Sequence, residues 1–336
     1  MSSAPRSEPL RAAVVGCGAI GGEIDEARPG QDPVTHAGSY AAHPGFVLAA
    51  CVEPDPARRS GFAAHWKVGH AFADLESLLA AGPDIDVVSL CSPTDHHAEA
   101  LERLLASPVK AVFAEKPLTG DPAIGRRLVE AYAAAGKPLL VNFTRRWNRT
   151  FMRLKEEIAR GEWGRPLSAV GVYTKGIRHN GGHLVDLLAY FLGPLSPVAV
   201  TGARLDHWSD DPTVDALLLS AEGTPVHLCG GDARAYSTFE LTLLLERGAM
   251  AIESGGLVLR TRRTAPNPFV PGQADLAPGG TAETEWRTQF LAALDDLAHA
   301  VATGAEPVSS GHSALTAQIL CSTLAEMAPI PKEATP

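Results

Sequence analysis

The stretch that decides the fold reads AAVVGCGAIG and covers residues 12–21. A buried strand runs into a Gly-x-Gly-x-x-Gly pattern, which is typical of a dinucleotide-binding loop. The first glycine permits a tight turn, the second lets the backbone approach a pyrophosphate, and the third allows a helix to pack closely. The residues of this predicted loop are Gly16, Gly18, Ala19, Ile20 and Gly21. Since helix amides attract phosphate charge, we expect a nucleotide at this edge of the sheet.

The first part of the chain predicts a doubly wound parallel sheet. From Arg11 to Asn142, short apolar runs alternate with helix-length amphipathic stretches, the pattern of repeated β-α units. The predicted strands are Ala12–Val15, Phe46–Val52, Asp86–Leu90, Val109–Ala114 and Pro138–Asn142, and the predicted helices are Ala57–Trp66, Leu75–Ala80, Asp95–Ala106 and Ala123–Ala135. We therefore expect residues 1–143 to form a dinucleotide-binding Rossmann domain.

After Asn142 the pattern changes to runs of strands separated by Gly, Pro and Asp turns, which favours a mostly antiparallel sheet. The predicted order is a helix at 151–160, a strand at 167–174, a helix at 183–192, six strand segments between 198 and 261, a loop at 265–280, and helices at 283–303 and 313–327. We expect residues 144–336 to form an α+β substrate and oligomerisation domain with an open-faced sheet. Its C-terminal helices are candidates to pack back on the first domain.

Composition restricts the class of ligand. With a net charge of −9, 45% hydrophobic and 20% charged residues, the chain favours a small-molecule ligand over nucleic acid or an anionic membrane. Five cysteines without Cys-x-x-Cys spacing suggest a reducing, cytoplasmic setting. No apolar stretch is long enough for a membrane span, and residues 1–10 lack the pattern of a secretion signal.

Glu53 indicates which dinucleotide is bound. It ends the second predicted strand, where a carboxylate can accept hydrogen bonds from a ribose 2′-hydroxyl and repel a 2′-phosphate. The acidic residue comes later than the usual spacing of about 20 residues, because residues 23–35 form an apparent insertion before a helix that resumes at His36. NAD is therefore the expected cofactor and NADP the less favoured one. Arg58 and Arg59 keep the NADP alternative open.

The order of five motifs identifies a family. These are the glycine loop, Ser92-Pro93-Thr94-Asp95-His96-His97, Glu115-Lys116-Pro117, Arg145-Arg146-Trp147-Asn148 and the segment from His179 to Asp186. Together they resemble the glucose–fructose oxidoreductase/inositol dehydrogenase (Gfo/Idh/MocA) family, over nearly the whole chain. The resemblance implies reversible hydride transfer between a nicotinamide and a secondary hydroxyl of a sugar, sugar nucleotide or (amino)cyclitol.

The same resemblance suggests roles for individual residues. Lys116 matches the family's catalytic lysine, which often precedes a cis-proline bond, and His183 matches the histidine of its Asp-x-x-x-His pair. We expect both to act in proton transfer on one substrate oxygen. His179 stands where the family has the aspartate, so this chain departs from the usual pair at that position. The residues expected on the cofactor side are Ser92, Pro93, Thr94, His97 and Glu115, with a structural role as the alternative for His97.

Further residues are candidates for substrate binding: Arg146, Trp147, Tyr173, Lys175, His179, Asn180 and Asp186. Trp147 could offer a face to a sugar ring or simply pack between domains. Asp186 could orient a hydroxyl or lie on a helix surface. His179 and His183 have the spacing of metal ligands, but Gly181-Gly182 is expected to interrupt the helix and no third ligand is evident. No metal is predicted.

Two other functions fit the same residues. An imine reductase would use Lys116 and His183 to protonate nitrogen, and a dinucleotide sensor would keep the fold without the chemistry. The expected partners are a polyol-type substrate and further copies of the chain. The open sheet predicts a homodimer or homotetramer.

Overall fold

The computed structural model describes residues 8–81 and 84–329. The described residues up to Trp147, together with Arg287–Leu315, form one compact unit, and Asn148–Trp286 with the described residues from Thr316 onward form a second. The domain boundary predicted from the sequence falls after residue 143. The predicted first domain begins at residue 1 and the second ends at residue 336, and these two residues lie outside the described part. The assignment of these parts to cofactor and substrate domains stays a prediction.

Up to the end of the sixth strand, helices alternate with strands. The elements are β1 (Leu10–Val15), α1 (Ile24–Glu26), α2 (His36–Ala42), β2 (Phe46–Val52), α3 (Pro56–Trp66), β3 (His70–Phe72), α4 (Leu75–Ala81), β4 (Val87–Leu90), α5 (His97–Leu105), β5 (Ala111–Ala114), α6 (Pro122–Ala134) and β6 (Leu139–Val141). The six strands are parallel in the order β3-β2-β1-β4-β5-β6. The predicted Rossmann sheet is confirmed.

Burial explains why these segments became strands. The central strands β4 and β5 are buried at every position, which a parallel sheet covered on both faces requires. The sequence missed β3, whose His70 and Ala71 are exposed, because a short edge strand carries no apolar run. Asp74 accepts a hydrogen bond from the Ser77 N–H at the start of α4, whereas the turn at Thr94–His96 has no side-chain cap.

The predicted insertion is a loop held closed by one buried carboxylate. Asp25 accepts hydrogen bonds from the backbone N–H groups of Val34 (3.0 Å) and Thr35 (2.9 Å) and from the Thr35 hydroxyl (2.6 Å). Thr35 in turn caps α2 by accepting from the Gly38 N–H at 3.1 Å. This chain of bonds fixes the start of α2, so His36 enters the core at a defined position.

The rest of the chain is rich in strands. The elements are α7 (Arg149–Ala159), β7 (Pro166–Tyr173), α8 (Gly181–Leu192), β8 (Leu195–Arg204), β9 (Thr213–Ser220), β10 (Pro225–Gly230), β11 (Phe239–Leu245), β12 (Gly248–Glu253), β13 (Val258–Pro266), β14 (Ala274–Leu276), β15 (Gly280–Glu283), α9 (Gln289–Thr303) and α10 (Gly311–Glu326). The nine strands form one sheet in the order β14-β13-β12-β11-β7-β10-β9-β8, with β15 paired to β13. The predicted α/β architecture with a second, mostly antiparallel sheet is confirmed.

The mostly antiparallel sheet includes one parallel pair, and two further details of the second half differ from the prediction. The β7–β10 pair is parallel, because β7 leads into a helix rather than a hairpin and its neighbours come from later in the chain. The predicted loop at 265–280 contains β14, which pairs with β13. The sequence did not indicate this strand, because its three residues form no apolar run. The helix predicted from Glu283 begins only at Gln289, after the strand β15.

Candidate functional site

Five of the predicted cofactor residues line a pocket in the first unit. The pocket has a volume of about 780 Å³ and lies where β1, β2 and β4 end, which is the usual ligand position in an open parallel sheet. Its lining includes Gly16, Gly18, Glu53, Ser92 and Pro93 from the predicted set. It also includes residues that the sequence did not suggest, among them Asp74, Glu76, His96 and Arg103.

The glycine loop fits a dinucleotide. Gly16 has a φ of +96°, and a Cβ there would lie 2.6 Å from the backbone of Cys91 and Ser92. A Cβ on Gly21 would overlap the carbonyl oxygen of Gly16, so the helical turn Ala19–Glu23 can approach the strand only with glycine at that position. A Cβ on Gly18, in contrast, would meet no described atom within 4 Å, so the backbone there faces open space. This is the cradle that a pyrophosphate requires.

Glu53 is held in place by the backbone. One carboxylate oxygen accepts from the Cys17 N–H and the other from the Asp55 N–H, each at 3.1 Å, and the residue is 5% exposed. Arg58 lies 3.7 Å from the same carboxylate, whereas the Arg59 guanidinium donates to the carbonyl of Glu53. The negatively charged carboxylate of Glu53, which is expected to repel a 2′-phosphate, is thus held at the wall of the pocket. In the NADP alternative, Arg58 is therefore the arginine that would bind the 2′-phosphate.

The segment after β4 contributes a hydroxyl and a bridging imidazole. The Ser92 Oγ is buried without a hydrogen-bond partner among the described residues, which suits a polar cofactor group. The His97 ring lies 2.9 Å from the carbonyl oxygen of Ser92 and 3.1 Å from that of Pro117, and it is 1% exposed. These bonds favour the structural interpretation of His97, which joins the loops after β4 and β5. Contact of Thr94 or His97 with a cofactor stays a prediction.

Lys116 lies directly after β5, half-buried, and its bond to Pro117 is cis. Its backbone N–H donates to the Glu115 carboxylate at 3.3 Å. Burial opposes the ionisation of Glu115, but the hydrogen bond and charge of His36, the Asn142 amide and the Lys116 ammonium together hold the pKa of Glu115 below its ordinary value. The lysine therefore follows a carboxylate that is kept charged in a nearly buried position.

A buried row of three hydrogen-bonded side chains, Tyr40, Ser89 and His36, leads to Glu115. The His36 ring is fully buried, with Nε2 3.1 Å from Glu115 and Nδ1 2.8 Å from the Ser89 Oγ. Ser89 is also 2.8 Å from the Tyr40 hydroxyl, and burial raises the pKa of Tyr40 well above its usual value, so that this hydroxyl keeps its proton. The His36 ring thus connects the Glu115 carboxylate with the Ser89 and Tyr40 hydroxyls. From the sequence, His36 was predicted only as the start of a helix. No local pattern indicates its hydrogen-bond partners Ser89 and Glu115, because both are far away in the sequence.

Arg146 and Trp147 are engaged within the first unit. The Trp147 ring is 1% exposed, packs edge-on against Phe113, and donates its N–H to Asp296 at 2.8 Å. Arg146 is 7% exposed and donates to the carbonyl of Val308 at 3.3 Å. The described contacts favour the packing interpretation of Trp147 over a face offered to a sugar. Substrate contact by either residue stays a prediction.

In the second unit, the predicted substrate residues cluster between the end of β7 and the first turns of α8. The Tyr173 hydroxyl is bonded to both backbone groups of Val214 and is fully buried. Asn180 donates to the carbonyl of Thr238 at 3.2 Å, and Asp186 is 1% exposed, so the helix-surface alternative for Asp186 is wrong. Tyr173 supports the sheet, and its contact with a substrate stays a prediction.

His179 and His183 lie on one helical segment, and Lys175 directly precedes it. A π-helical turn at Gly176–Asn180 runs directly into α8, and Gly181 has helical dihedrals. The expectation that Gly181-Gly182 interrupts the helix is therefore wrong, because both glycines adopt the α conformation. His183 is half-buried. Among residues 8–81 and 84–329, no group of three or more His, Cys, Asp or Glu side chains could hold a metal ion.

No helix among the described residues is long and apolar enough to cross a membrane.

Comparisons with known proteins agree with this geometry. Residues 10–143 match the model of an oxidoreductase family with an NAD-binding Rossmann fold. The chain is 25% identical over 307 residues to inositol 2-dehydrogenase of Rhizobium meliloti, which covers 85% of this chain and 90% of the relative. It is 28% identical over 205 residues to D-glucoside 3-dehydrogenase of Escherichia coli, covering 57% and 54%.

The fold extends beyond the family match. A crystal structure of a myo-inositol dehydrogenase from Corynebacterium glutamicum aligns with a TM-score of 0.73 at 20% identity, over 95% of this chain and 96% of the other. Both units of the structure therefore have counterparts in a solved protein. Within this fold, residues 10–143 are the part that matches the model of the Gfo/Idh/MocA oxidoreductase family, with its NAD-binding Rossmann fold.

Proposed function

We propose that this protein is an NAD(H)-dependent dehydrogenase or ketoreductase acting on a secondary hydroxyl of a sugar, sugar nucleotide or (amino)cyclitol. The observation that carries the proposal is the pocket in the first unit, where the glycine loop and Glu53 meet at the strand ends. The names of two relatives, which specify inositol and a D-glucoside, support the substrate class. NAD is preferred to NADP because the Glu53 carboxylate is fixed at the pocket wall.

NAD, when bound, supplies the hydride acceptor, and the protein supplies binding, orientation and proton transfer. The amides after Gly18 would hold the pyrophosphate, and Glu53 would accept hydrogen bonds from the ribose. We assign proton transfer to Lys116 and His183, the residues that match the family's pair. Glu115, kept charged by His36, orients the backbone of Lys116 through its N–H.

The activity is tested by following reduced nicotinamide by its absorbance. The purified protein is incubated with NAD⁺ or NADP⁺ and a panel containing myo-inositol, glucosides, sugar nucleotides and aminocyclitols. Turnover with NAD⁺ and at least one of these polyols supports the proposal. Binding of NAD without turnover of any member favours the dinucleotide sensor, and turnover only of cyclic imines with NADH favours the imine reductase.

The proposed residues are tested by matched substitutions. Lys116→Met is expected to lower kcat by about 10²- to 10⁴-fold, the usual contribution of a general acid or base, with NAD affinity within about twofold of the wild type. Lys67→Met removes an exposed lysine of the same unit and serves as the control. His183→Gln is compared with His227→Gln, which changes an exposed histidine on β10. Full activity of Lys116→Met would contradict the assignment.

Self-association stays a prediction. Apolar side chains at Val198, Leu219 and Leu244 are 38–49% exposed on three strands of the sheet in the second unit. A second copy of the same sheet would cover them, which is the basis for proposing a dimer or tetramer. Light scattering of the purified protein gives the mass directly, and a monomer at working concentration would overturn this proposal. A cytoplasmic location also stays a prediction.

A further inference from the structure

One imidazole of the second unit is paired with a buried carboxylate from a distant loop. The His179 Nδ1 lies 2.8 Å from Asp211, which belongs to the loop between β8 and β9. The Asp211 side chain is 2% exposed, whereas that of His179 is 43% exposed. The sequence singled out His179 because it stands where the family has an aspartate. Asp211 was not predicted from the sequence, because it lies 32 residues away from His179 along the chain.

The contacts of Asp211 determine which nitrogen of His179 carries the proton. The carboxylate also accepts from the backbone N–H groups of Arg178 (2.9 Å) and His179 (3.0 Å). An ionised carboxylate only accepts hydrogen bonds, so Nδ1 of His179 must donate to it. A neutral imidazole with a proton on Nδ1 has its lone pair on Nε2. The ring is thus held as a proton acceptor whose reactive nitrogen is on the side away from Asp211.

The orientation of the ring is fixed from a second direction. The Trp208 indole stacks on the His179 ring, with centroids 4.6 Å apart and planes 20° from parallel. Trp208 is 42% exposed and comes from the same loop as Asp211. Two contacts from one loop therefore set both the tautomer and the plane of an imidazole that remains open to solvent.

The loop that carries His179 is built around two carboxylates. Lys175 is left-handed (φ 67°) and its N–H donates to Asp206 at 3.0 Å. Gly176 follows with φ +79°, and a Cβ there would overlap the Asp211 carboxylate. Non-glycine residues in this region are uncommon and strained, and they persist where surrounding contacts fix them. The position of His179 against Asp211 is therefore set before any ligand binds.

We propose that Asp211 and His179 replace the missing family aspartate, and that His179 carries the substrate-derived proton to solvent. The proposal rests on the proposed dehydrogenase function. His179 and His183 lie four residues apart on a continuous helical segment, so they share one face of it. His179 passes the proton on and Asp211 is a positioning residue that holds its tautomer, as the buried aspartate does in Asp–His pairs of hydrolases.

The proton balance is simple. In the oxidative direction one proton leaves the substrate hydroxyl and reaches His183, which hands it to Nε2 of His179. The His179 ring becomes an imidazolium while the proton on Nδ1 remains bonded to Asp211, and no electrons move in this step. The Nε2 proton is then lost to water or buffer, which restores the neutral ring. The reverse sequence delivers a proton when a ketone is reduced.

Kinetics with chemical rescue test the proposal. His179→Gln is expected to lower kcat by about tenfold to a hundredfold, within the range of acid–base contributions, and to leave KM within about twofold. Added imidazole buffer is expected to restore part of the lost rate in this variant but not to accelerate the wild type. A merely structural role of His179 would not produce dependence on buffer concentration. His227→Gln is the matched control.

Asp211→Asn has a control next to it. Asp210 is exposed, and its side chain forms no hydrogen bond or ion pair with the described residues, so Asp210→Asn changes the charge equally without touching His179. We expect Asp211→Asn to lower kcat about tenfold and Asp210→Asn to leave it unchanged. Nitrogen-15 NMR of the histidine rings gives a readout independent of turnover: neutral His179 should carry its proton on Nδ1 and lose this preference in Asp211→Asn.

The outcomes separate the two proposals. If the wild type turns over no member of the polyol panel, the proposed function fails and this inference fails with it. If the wild type is active but His179→Gln keeps the wild-type kcat without buffer rescue, the inference alone is refuted. A proton on Nε2 of neutral His179 in the wild-type spectrum would refute it as well, even if Asp211→Asn proved too unstable to assay.

Discussion

His36→Leu is the substitution that tests the buried row behind Lys116. Leucine has about the volume of the imidazole, so the change removes two hydrogen bonds without opening a large cavity. Glu115 loses the partner that lies 3.1 Å from its carboxylate, and Ser89 loses the one at 2.8 Å. We expect the folded state to keep a carboxylate that is still buried but less well compensated.

The magnitude follows from these two bonds. A hydrogen bond to a charged group contributes about 1.5–3 kcal/mol, and a neutral one about 0.5–1.5 kcal/mol. Ser89 keeps the Tyr40 hydroxyl as a partner, which reduces the second loss. We therefore expect His36→Leu to lower the free energy of unfolding by about 2–4 kcal/mol at neutral pH. His65→Leu, at an exposed position on α3, should change it by less than about 0.5 kcal/mol.

The pH dependence provides the sharper test. In the wild type the pKa of Glu115 is lowered, so its contribution is present above the unfolded pKa and is lost only as pH falls through the folded one. In His36→Leu, burial becomes the dominant influence and should raise the pKa of Glu115 above its unfolded value. The folded variant then binds a proton more readily than its unfolded chain, so its stability recovers as pH falls. The stability gap to the wild type should narrow as pH falls from neutral towards the ordinary pKa of a glutamate.

The assay is calorimetric unfolding of wild type, His36→Leu and His65→Leu at several pH values in low salt. Turnover measured in parallel should fall in His36→Leu, because Glu115 accepts the backbone N–H of Lys116. The reasoning is refuted if His36→Leu unfolds at the same temperature as His65→Leu. A stability gap that does not depend on pH would show that Glu115 is not the group affected.

Three further predictions concern glycines and the cofactor. Gly21→Ala should lower the melting temperature because its Cβ overlaps the Gly16 carbonyl, whereas Gly18→Ala should preserve folding and weaken NAD binding in calorimetric titration. Gly176→Ala should destabilise the protein by about 1–3 kcal/mol more than Gly223→Ala in chemical unfolding, because both have a positive φ but only the first meets the Asp211 carboxylate. Glu53→Gln should raise the Kd for NAD about 10- to 100-fold and reduce the preference over NADP, as measured by NADH and NADPH fluorescence titration.

The cofactor pocket could be predicted because parallel sheets obey local rules. A strand that reads as an apolar run ends at a known edge, and residues that follow such strands meet there. Gly16, Glu53 and Ser92 all line the pocket for this reason. The family motifs also indicated Lys116 and His183, but only as single residues. Neither the sequence pattern nor the motifs showed what supports them.

The supporting contacts depend on pairs far apart in the chain. His36 and Glu115 are 79 residues apart, and their bond depends on how Asp25 closes the insertion and on the order of β1, β4 and β5. Tyr173 looked like a substrate residue, yet its hydroxyl is bonded to the backbone of Val214. A side chain's partner across a sheet leaves no trace in local composition, because only register and topology choose it.

The sequence alone thus determined the strand that runs into the glycine loop, the sign of the charge at the end of β2 and the place of Lys116 after β5. Periodicity and the short range of turn geometry are sufficient for these features. Only the tertiary structure decided that Asp211 holds Nδ1 of His179 and that His36 holds Glu115. Hydrogen bonds between distant segments form after the chain has packed, so their identity depends on three-dimensional position and not on neighbours in sequence.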